Sequence, residues 1–263
     1  MHFAAATYVG ESVTNPDHHY GNNIGGTLSL LRAMRQSGIQ RMLFSSTCAT
    51  YGDNPTVPMN ETAAQIPCSP YARTKLAVEW MIRDFAHAYG LGFTILRYFN
   101  ASGADRDGEF GENHEPETHL IPLLLQVALG QRDKLMMYGD DYPTPDGTCI
   151  RDYVHTDDLA QAHLLAISAT TSKTAEVFNI GTGNGQSVKE VHRACEEVTG
   201  RKIPLEVTAR RPGDAPALVA DPTKLKTQLG WKPEFFDIQR TVETAWNWHQ
   251  RYPKGYADKL AAR

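Results

Sequence analysis

Tyr71 and Lys75 stand four residues apart in the run Tyr71-Ala72-Arg73-Thr74-Lys75. On a helix this spacing puts phenol and ammonium on one face, with Cβ atoms about 6 Å apart. A nearby cation favours phenolate and lowers a tyrosine pKa from its ordinary value of about 10. A base working near neutral pH needs a drop of about three units, roughly 4 kcal/mol of differential stabilisation. The pair alone is equally a surface helix pair; placement gives it weight. Ser45-Ser46-Thr47 follows a strand in the preceding unit, so a Thr47 hydroxyl and a Tyr71 phenol can meet one substrate hydroxyl. Arg151 and Arg211 add guanidinium forks of the kind that hold phosphate, though by composition alone each would as readily be a solvated charge. Gly181-Thr182-Gly183-Asn184-Gly185 has the look of a phosphate loop. Gln186 occupies the position of the last glycine in GxGxxG, so the segment reads as a turn.

Elements must carry these side chains. Met1-His2-Phe3-Ala4-Ala5 reads as the end of a buried strand. Ile24, Leu28, Leu31 and Met34 predict a helix from Asn23 to about Gln36, broken at Gly38. Arg41 to Ser46 is a short buried strand, and a Pro-rich loop spans Asp53 to Pro70. Tyr71 to Tyr89 is a strong helix with an apolar stripe of Ala77, Trp80, Met81, Phe85 and Ala88, ended by Gly90. Phe93 to Phe99 is the next strand. This alternation predicts a parallel sheet with crossover helices, whose strand C-termini are the place for ligands. From Ala101 the texture changes to loops rich in Gly, Pro, Asp and Glu around a helix from Leu120 to Gly130. A strand at Arg151–His155, a helix from about Asp157 to Ala169 and a strand at Val177–Ile180 follow. Ser187 and Glu190 then open a helix as a capping box. The boundaries expected are a first domain at 1–101, with 151–181 packing back onto it, and a second lobe at 102–263.

The bulk numbers are those of an ordinary globular chain of 263 residues. A net charge of −4 and the lack of any Lys/Arg run argue against nucleic acid or anionic membrane as partner. No apolar stretch approaches a membrane span, and no signal peptide is evident. Cys48, Cys68, Cys149 and Cys195 show no CxxC spacing and fit a reducing cytoplasm. The ten histidines include no HExxH and no obvious ligand pair, so no metal site is expected.

Six segments together resemble the UDP-glucose 4-epimerases of the extended short-chain dehydrogenase/reductase superfamily. They are Gly10-Glu11-Ser12, Phe44 to Gly52, Ser69-Pro70-Tyr71, Arg97-Tyr98-Phe99-Asn100, Gly147 to Tyr153, and Arg210-Arg211-Pro212-Gly213-Asp214. The resemblance runs to about Tyr256. It implies an α/β fold: a Rossmann-like doubly wound parallel sheet missing its first strands, with a smaller α/β substrate-binding lobe. It also implies a reaction, the interconversion of UDP-glucose and UDP-galactose. Hydride passes from C4 to NAD, the 4-keto sugar turns over, and hydride returns to its other face. Tyr71 is then the base, with Thr47 in its hydrogen-bond network, and a positively charged nicotinamide joins Lys75 in lowering its pKa. Lys75 would also hold the nicotinamide ribose. Phe3, Ala4, Ala5, Ala6, Thr7, Asn22 and Phe99 would complete the cofactor contacts. Substrate would meet Asn100, His119 and Leu218. Arg151 and Arg211 would take the diphosphate and uridine, Asp214 a ribose hydroxyl, and Leu120, Met136, Met137 and Tyr138 the uracil. A homodimer through the helices at about 23–36 and 71–89 is expected on the same ground.

The sequence departs from the family in three places. The Gly-rich NAD fingerprint is absent. The chain begins near the end of what should be a fourth strand, as if two βαβ units of roughly 60 to 80 residues preceded it. An open sheet edge and weak NAD binding are the expected consequences. Thr7 stands where a longer basic residue is common. Leu218 is neither the bulky aromatic that excludes N-acetyl groups nor the smallest choice, so the sugar preference stays open, pentose and uronate included. A 4,6-dehydratase would carry an Asp-Glu pair after the Ser/Thr position. Cys48 and Ala49 stand there, which argues against dehydration. A non-catalytic nucleotide-sugar-binding relative is the alternative from another class.

Overall fold

The computed structural model describes residues 1–54, 56–211 and 214–261. In chain order it holds α1 (Val9–Thr14), α2 (Pro16–His19), a π-helical turn (Tyr20–Gly25), α3 (Gly26–Gln36), β1 (Arg41–Thr47), α4 (Pro70–Tyr89) and β2 (Gly92–Tyr98). Then come β3 (Asn100–Ser102), α5 (Leu120–Ala128), β4 (Leu135–Tyr138), β5 (Ile150–His155), α6 (Thr156–Ala169) and β6 (Ala175–Ile180). The last are β7 (Gly185–Ser187), α7 (Val188–Thr199), β8 (Leu205–Thr208), β9 (Ala217–Leu218), α8 (Thr223–Leu229), α9 (Ile238–Arg251) and α10 (Tyr256–Ala261).

Two compact units result. The first comprises Met1–Phe99, Gln161–Ile180 and Ala220–Trp231. Its sheet is parallel, in the order β1-β2-β6. Every residue of β1 after Arg41 is buried, as expected of a strand covered on both faces. Met42, Phe44, Phe93 and Ile95 meet Leu31 and Met34 of α3 and Val78 and Ile82 of α4 in one apolar cluster. α4 starts sharply because Ser69 caps it, accepting from the Ala72 N–H at 3.2 Å, with Pro70 beginning the helix. It stops at Gly90, whose φ of 71° only glycine adopts cheaply.

Three expectations need correction here. The N-terminal segment is no buried strand: only His2 bridges β1, through Leu43 O and Ser45 N, while Met1 and Phe3 are exposed. The apolar stripe of α4 is buried only in part: Met81 and Phe85 pack against the apolar cluster, but the fully buried face is another. Trp80 is 58% exposed and Ala88 lies in solvent, whereas Tyr71, Thr74, Lys75, Val78, Glu79 and Ile82 are buried. Charged side chains take the inner face because partners wait there. The returning stretch begins at Gln161 rather than 151, since β5 pairs with β3, β7 and β9. Ala220–Trp231 also joins the first unit, bridged at Ala220 to Met59 and tied by Lys224 Nζ to Glu176 at 2.7 Å.

The second unit comprises Asn100–Ala160, Gly181–Val219 and Lys232–Arg263. Its core is helical: Ile121, Leu124 and Leu125 of α5, Val191 and Cys195 of α7, and Val242 and Trp246 of α9. A parallel pair, β4 and β8, and the short strands around β5 complete it.

Candidate active site

In the first unit, β1 ends at Thr47 and α4 begins one residue before Tyr71. Thr47 Oγ1 accepts from the Ala49 N–H at 3.1 Å, and its hydroxyl lies beside the Tyr71 phenol. Lys75 lies one turn along α4, 3% exposed, and donates to the Ser45 carbonyl at 2.7 Å. Its ammonium also sits 4.9 Å from the centre of the Phe44 ring. Burial brings its pKa down to about 8, opposed by Glu79. Burial pushes the Tyr71 phenol well above its ordinary value, with Tyr98 adding to the rise and the Thr47 hydroxyl opposing it. The Lys75 charge is directed at a carbonyl and an aromatic face.

Behind this group lies a polar network that sequence reasoning missed. Glu79, one further turn along α4, accepts both Arg97 Nη2 at 2.6 Å and Nε at 2.9 Å. Ser46 Oγ donates to the same carboxylate at 2.6 Å. Arg97 Nη1 reaches Tyr51 Oη at 3.0 Å, and Tyr51 donates to Asn179 Oδ1 at 2.7 Å. Ser45 Oγ and Tyr98 Oη form a short hydrogen bond. The signal was present: a lone arginine in the apolar run Phe93–Phe99 must be paired if the strand is central.

The residues expected at the cofactor lie in the same unit. Phe3 is exposed and packs on the His163 ring, Ala4 and Thr7 are exposed, and Ala5 and Ala6 are half-buried. Phe99 is buried. Asn22 is exposed and donates to Asn23 Oδ1. Asn23, not Asn22, fixes the segment: its amide bonds Ala6 N at 2.7 Å, Ala6 O at 3.0 Å and Thr74 Oγ1 at 2.9 Å. The donor set suits a nicotinamide ribose, because the Lys75 ammonium has three protons and the one protein acceptor described for it is the Ser45 carbonyl.

In the second unit, Arg151 donates to the carbonyls of Ile150 and Ala215 at 2.9 and 2.8 Å. Asp214 lies between two arginines, 3.8 Å from Arg151 Nη2 and 3.0 Å from Arg211 Nε. The Arg211 guanidinium covers the Tyr138 ring at 4.7 Å. Pro212 and Gly213 of the same motif lie outside the described residues. Asn100 is half-buried on β3, Leu218 half-buried on β9, and Leu120 packs against the helical core. His119 stands at the N-terminus of α5 in contact with Glu112. Met137 requires correction. Side chains alternate along β4, so Met136 and Tyr138 are exposed while Met137 is buried with Leu135 and cannot share a face with them. The Gly181–Gly185 turn is filled by a carboxylate: Asp152 accepts from Thr182 N, Thr182 Oγ1 and Gly183 N at 2.7–2.9 Å. Those donors are therefore unavailable to phosphate, in keeping with the reading as a turn.

Comparison with known proteins follows the same lines. A family model described as GDP-mannose 4,6 dehydratase matches residues 1–244. A UDP-glucose 4-epimerase of Halalkalibacterium halodurans is 50% identical over 258 residues, covering 98% of this chain and 77% of the relative. The crystal structure of UDP-glucose 4-epimerase from Brucella ovis in complex with NAD superposes with a TM-score of 0.89 at 52% identity, over 93% of this chain and 76% of that one. That from Bifidobacterium longum, in complex with NAD+ and UDP, gives 0.93 at 39% identity, over 97% and 76%.

Proposed function

The chain belongs to the UDP-glucose 4-epimerase family of extended short-chain dehydrogenases/reductases, and from that premise we propose how its own residues carry the reaction. The activity is the NAD-dependent interconversion of UDP-glucose and UDP-galactose. The observation that carries this reading is the buried set of Thr47 at the end of β1 and Tyr71 on α4, one helical turn from a buried lysine. NAD, when bound, supplies the acceptor and donor of the C4 hydride.

Tyr71 takes the proton of the sugar 4-hydroxyl and returns it, and Thr47 holds the phenol oriented for both directions. A phenol that burial keeps protonated needs added positive charge to ionise, so its basicity belongs to the loaded site. Lys75 offers ammonium protons to the nicotinamide ribose, with Phe3–Thr7, Asn22 and Phe99 beside the same half of the cofactor. Arg151 and Arg211 hold the diphosphate and uridine, and Asp214, once released from them, accepts from the uridine ribose. Met136, Tyr138 and Leu120 flank uracil. Asn100, His119 and Leu218 meet the remainder of the substrate. Dehydration is disfavoured by Cys48 and Ala49, which offer no carboxyl pair.

The reading extends to a homodimer. Trp80, Tyr89 and Leu30, on α4 and α3, are exposed apolar side chains that a second copy would cover. Among the described residues no helix is long and apolar enough to cross a membrane, and a cytoplasmic location is proposed with the reducing cysteine pattern. The test is conversion of UDP-galactose to UDP-glucose by the purified chain with NAD added, set against Tyr71→Phe. Turnover in the first and none in the second supports the assignment; equal turnover in both removes Tyr71 from it.

A further inference from the structure

In the second unit, the loop before α5 gathers two imidazoles and two carboxylates. Glu112, His114, Glu117 and His119 each offer one ligand atom, and all four atoms lie within 4.8 Å of one another. His114 Nδ1 is 3.4 Å from Glu112 Oε1 and 3.8 Å from Glu117 Oε1. His119 Nδ1 is 3.9 Å from Glu117 Oε1 and in direct contact with Glu112 Oε1. A tetrahedral zinc ion, with ligands at about 2.0–2.1 Å, spaces its donors about 3.3 Å apart. Three of the separations, 3.4 to 3.9 Å, lie near that figure, and side-chain movement would draw in the widest pair and open the contact between His119 and Glu112.

We infer that Glu112, His114, Glu117 and His119 form a binding site for a zinc-class divalent cation. Two imidazoles select for borderline ions over calcium or magnesium, which take oxygen ligands. Supporting contacts hold the ligands in place, as metal sites require. The Glu112 carbonyl accepts from Trp248 Nε1 at 3.3 Å. Gly111 lies flat on the Trp248 ring, where an added Cβ would come within 2.2 Å. The Glu117 carboxylate, almost fully buried, accepts from the N–H groups of Thr118 and His119 at 2.7 and 2.8 Å. Four protein ligands leave no open position for substrate water, so the ion fastens the loop to the start of α5 rather than catalysing a reaction. It also takes His119 Nδ1, leaving Nε2 as that ring's one nitrogen for other work. The expectation of no metal site rested on the lack of CxxC spacing, of HExxH and of an obvious ligand pair. These ligands lie on a loop.

The test is calorimetric titration of the untagged, chelator-treated full chain with Zn2+, and visible spectroscopy with Co2+. The expected result is one zinc per chain and the intense visible bands of tetrahedral cobalt(II). His114→Ala and Glu117→Gln should each raise the Kd at least about 100-fold, the upper end of what losing a supporting partner costs a metal site, and abolish the cobalt bands. Glu112→Gln serves as the third variant, with far-UV circular dichroism confirming that each remains folded. Absence of zinc binding in the parent chain would overturn the proposal. So would binding that survives the substitutions in folded variants.

Discussion

The Tyr71 group in the first unit and the Arg211 group in the second are built on opposite physical plans. Thr47, Tyr71 and Lys75 are each less than a tenth exposed and rest on a buried ion pair whose side chains are 2% and 1% exposed. Arg211 is 55% exposed, and Asp214, its partner, is 23% exposed. Proton transfer demands groups fixed and shielded from water before substrate arrives. Recognition of a charged nucleotide demands charges that can leave one partner for another without a large desolvation cost, and exposed ion pairs are worth only about 0–1 kcal/mol. The contrast predicts that substitutions in the first group strike kcat or the fold, and those in the second strike KM.

The largest effect expected is in Tyr71→Phe. Losing the acid–base group should lower kcat by about 10²–10⁴-fold with the unfolding midpoint little changed, as a coupled assay and urea titration would show. An equivalent loss on changing Arg211 would erase the distinction between the groups. Next comes Glu79→Gln, which leaves Arg97 buried without its counter-charge. Breaking such a pair costs about 3–5 kcal/mol, read from equilibrium urea unfolding. A loss below about 1 kcal/mol, the range of an exposed pair, would mean that the Glu79–Arg97 pair is not what supports Thr47 and Tyr71.

How much of this was legible beforehand follows the same division. Local signals carried far: the helix read from Tyr71 to Tyr89 and ended by Gly90 matches α4 to within a residue, and Ser187 and Glu190 form the capping box read from their spacing. Strand–helix order placed Thr47 and Tyr71 where both could meet one substrate hydroxyl, and the family resemblance supplied their pairing. Partnership across distant segments was not. Nothing local says that Glu79 meets Arg97, 18 residues on, or that Tyr51 meets Asn179, 128 residues on. For that reason Glu79 was missed on the inner face of α4, where it lies buried with Lys75. Met137 came with the resemblance rather than from local pattern, and the period of two in a four-residue strand turns it inward.

Lys75 sharpens the comparison through pH. Its folded pKa of about 8 lies below the ordinary 10.5 because burial penalises the charge. Below pH 8 both folded and unfolded chains carry the proton, and the penalty is in full force. Between about 8 and 10.5 the unfolded chain binds more protons, so stability rises with pH. The gain across that window is on the order of 3 kcal/mol at 1.36 per unit. Urea unfolding of the chain and of Lys75→Met from pH 7 to 10.5 should show this rise in the first relative to the second. Parallel curves would mean that the ammonium is not buried at a cost.

The smallest effect expected is in the exposed group, and it separates charge from geometry. Arg211→Ala should raise KM for UDP-galactose about tenfold, equivalent to about 1.4 kcal/mol, with kcat nearly unchanged, the signature of lost uniform binding. Arg211→Lys keeps the charge but loses the planar fork and the stacking over Tyr138. If Lys restores KM, Arg211 acts as a solvated point charge and the movable-charge account holds in its simplest form. If Lys behaves like Ala, the stack on Tyr138 sets the direction of the guanidinium. The second group would then share some of the preorganisation of the first.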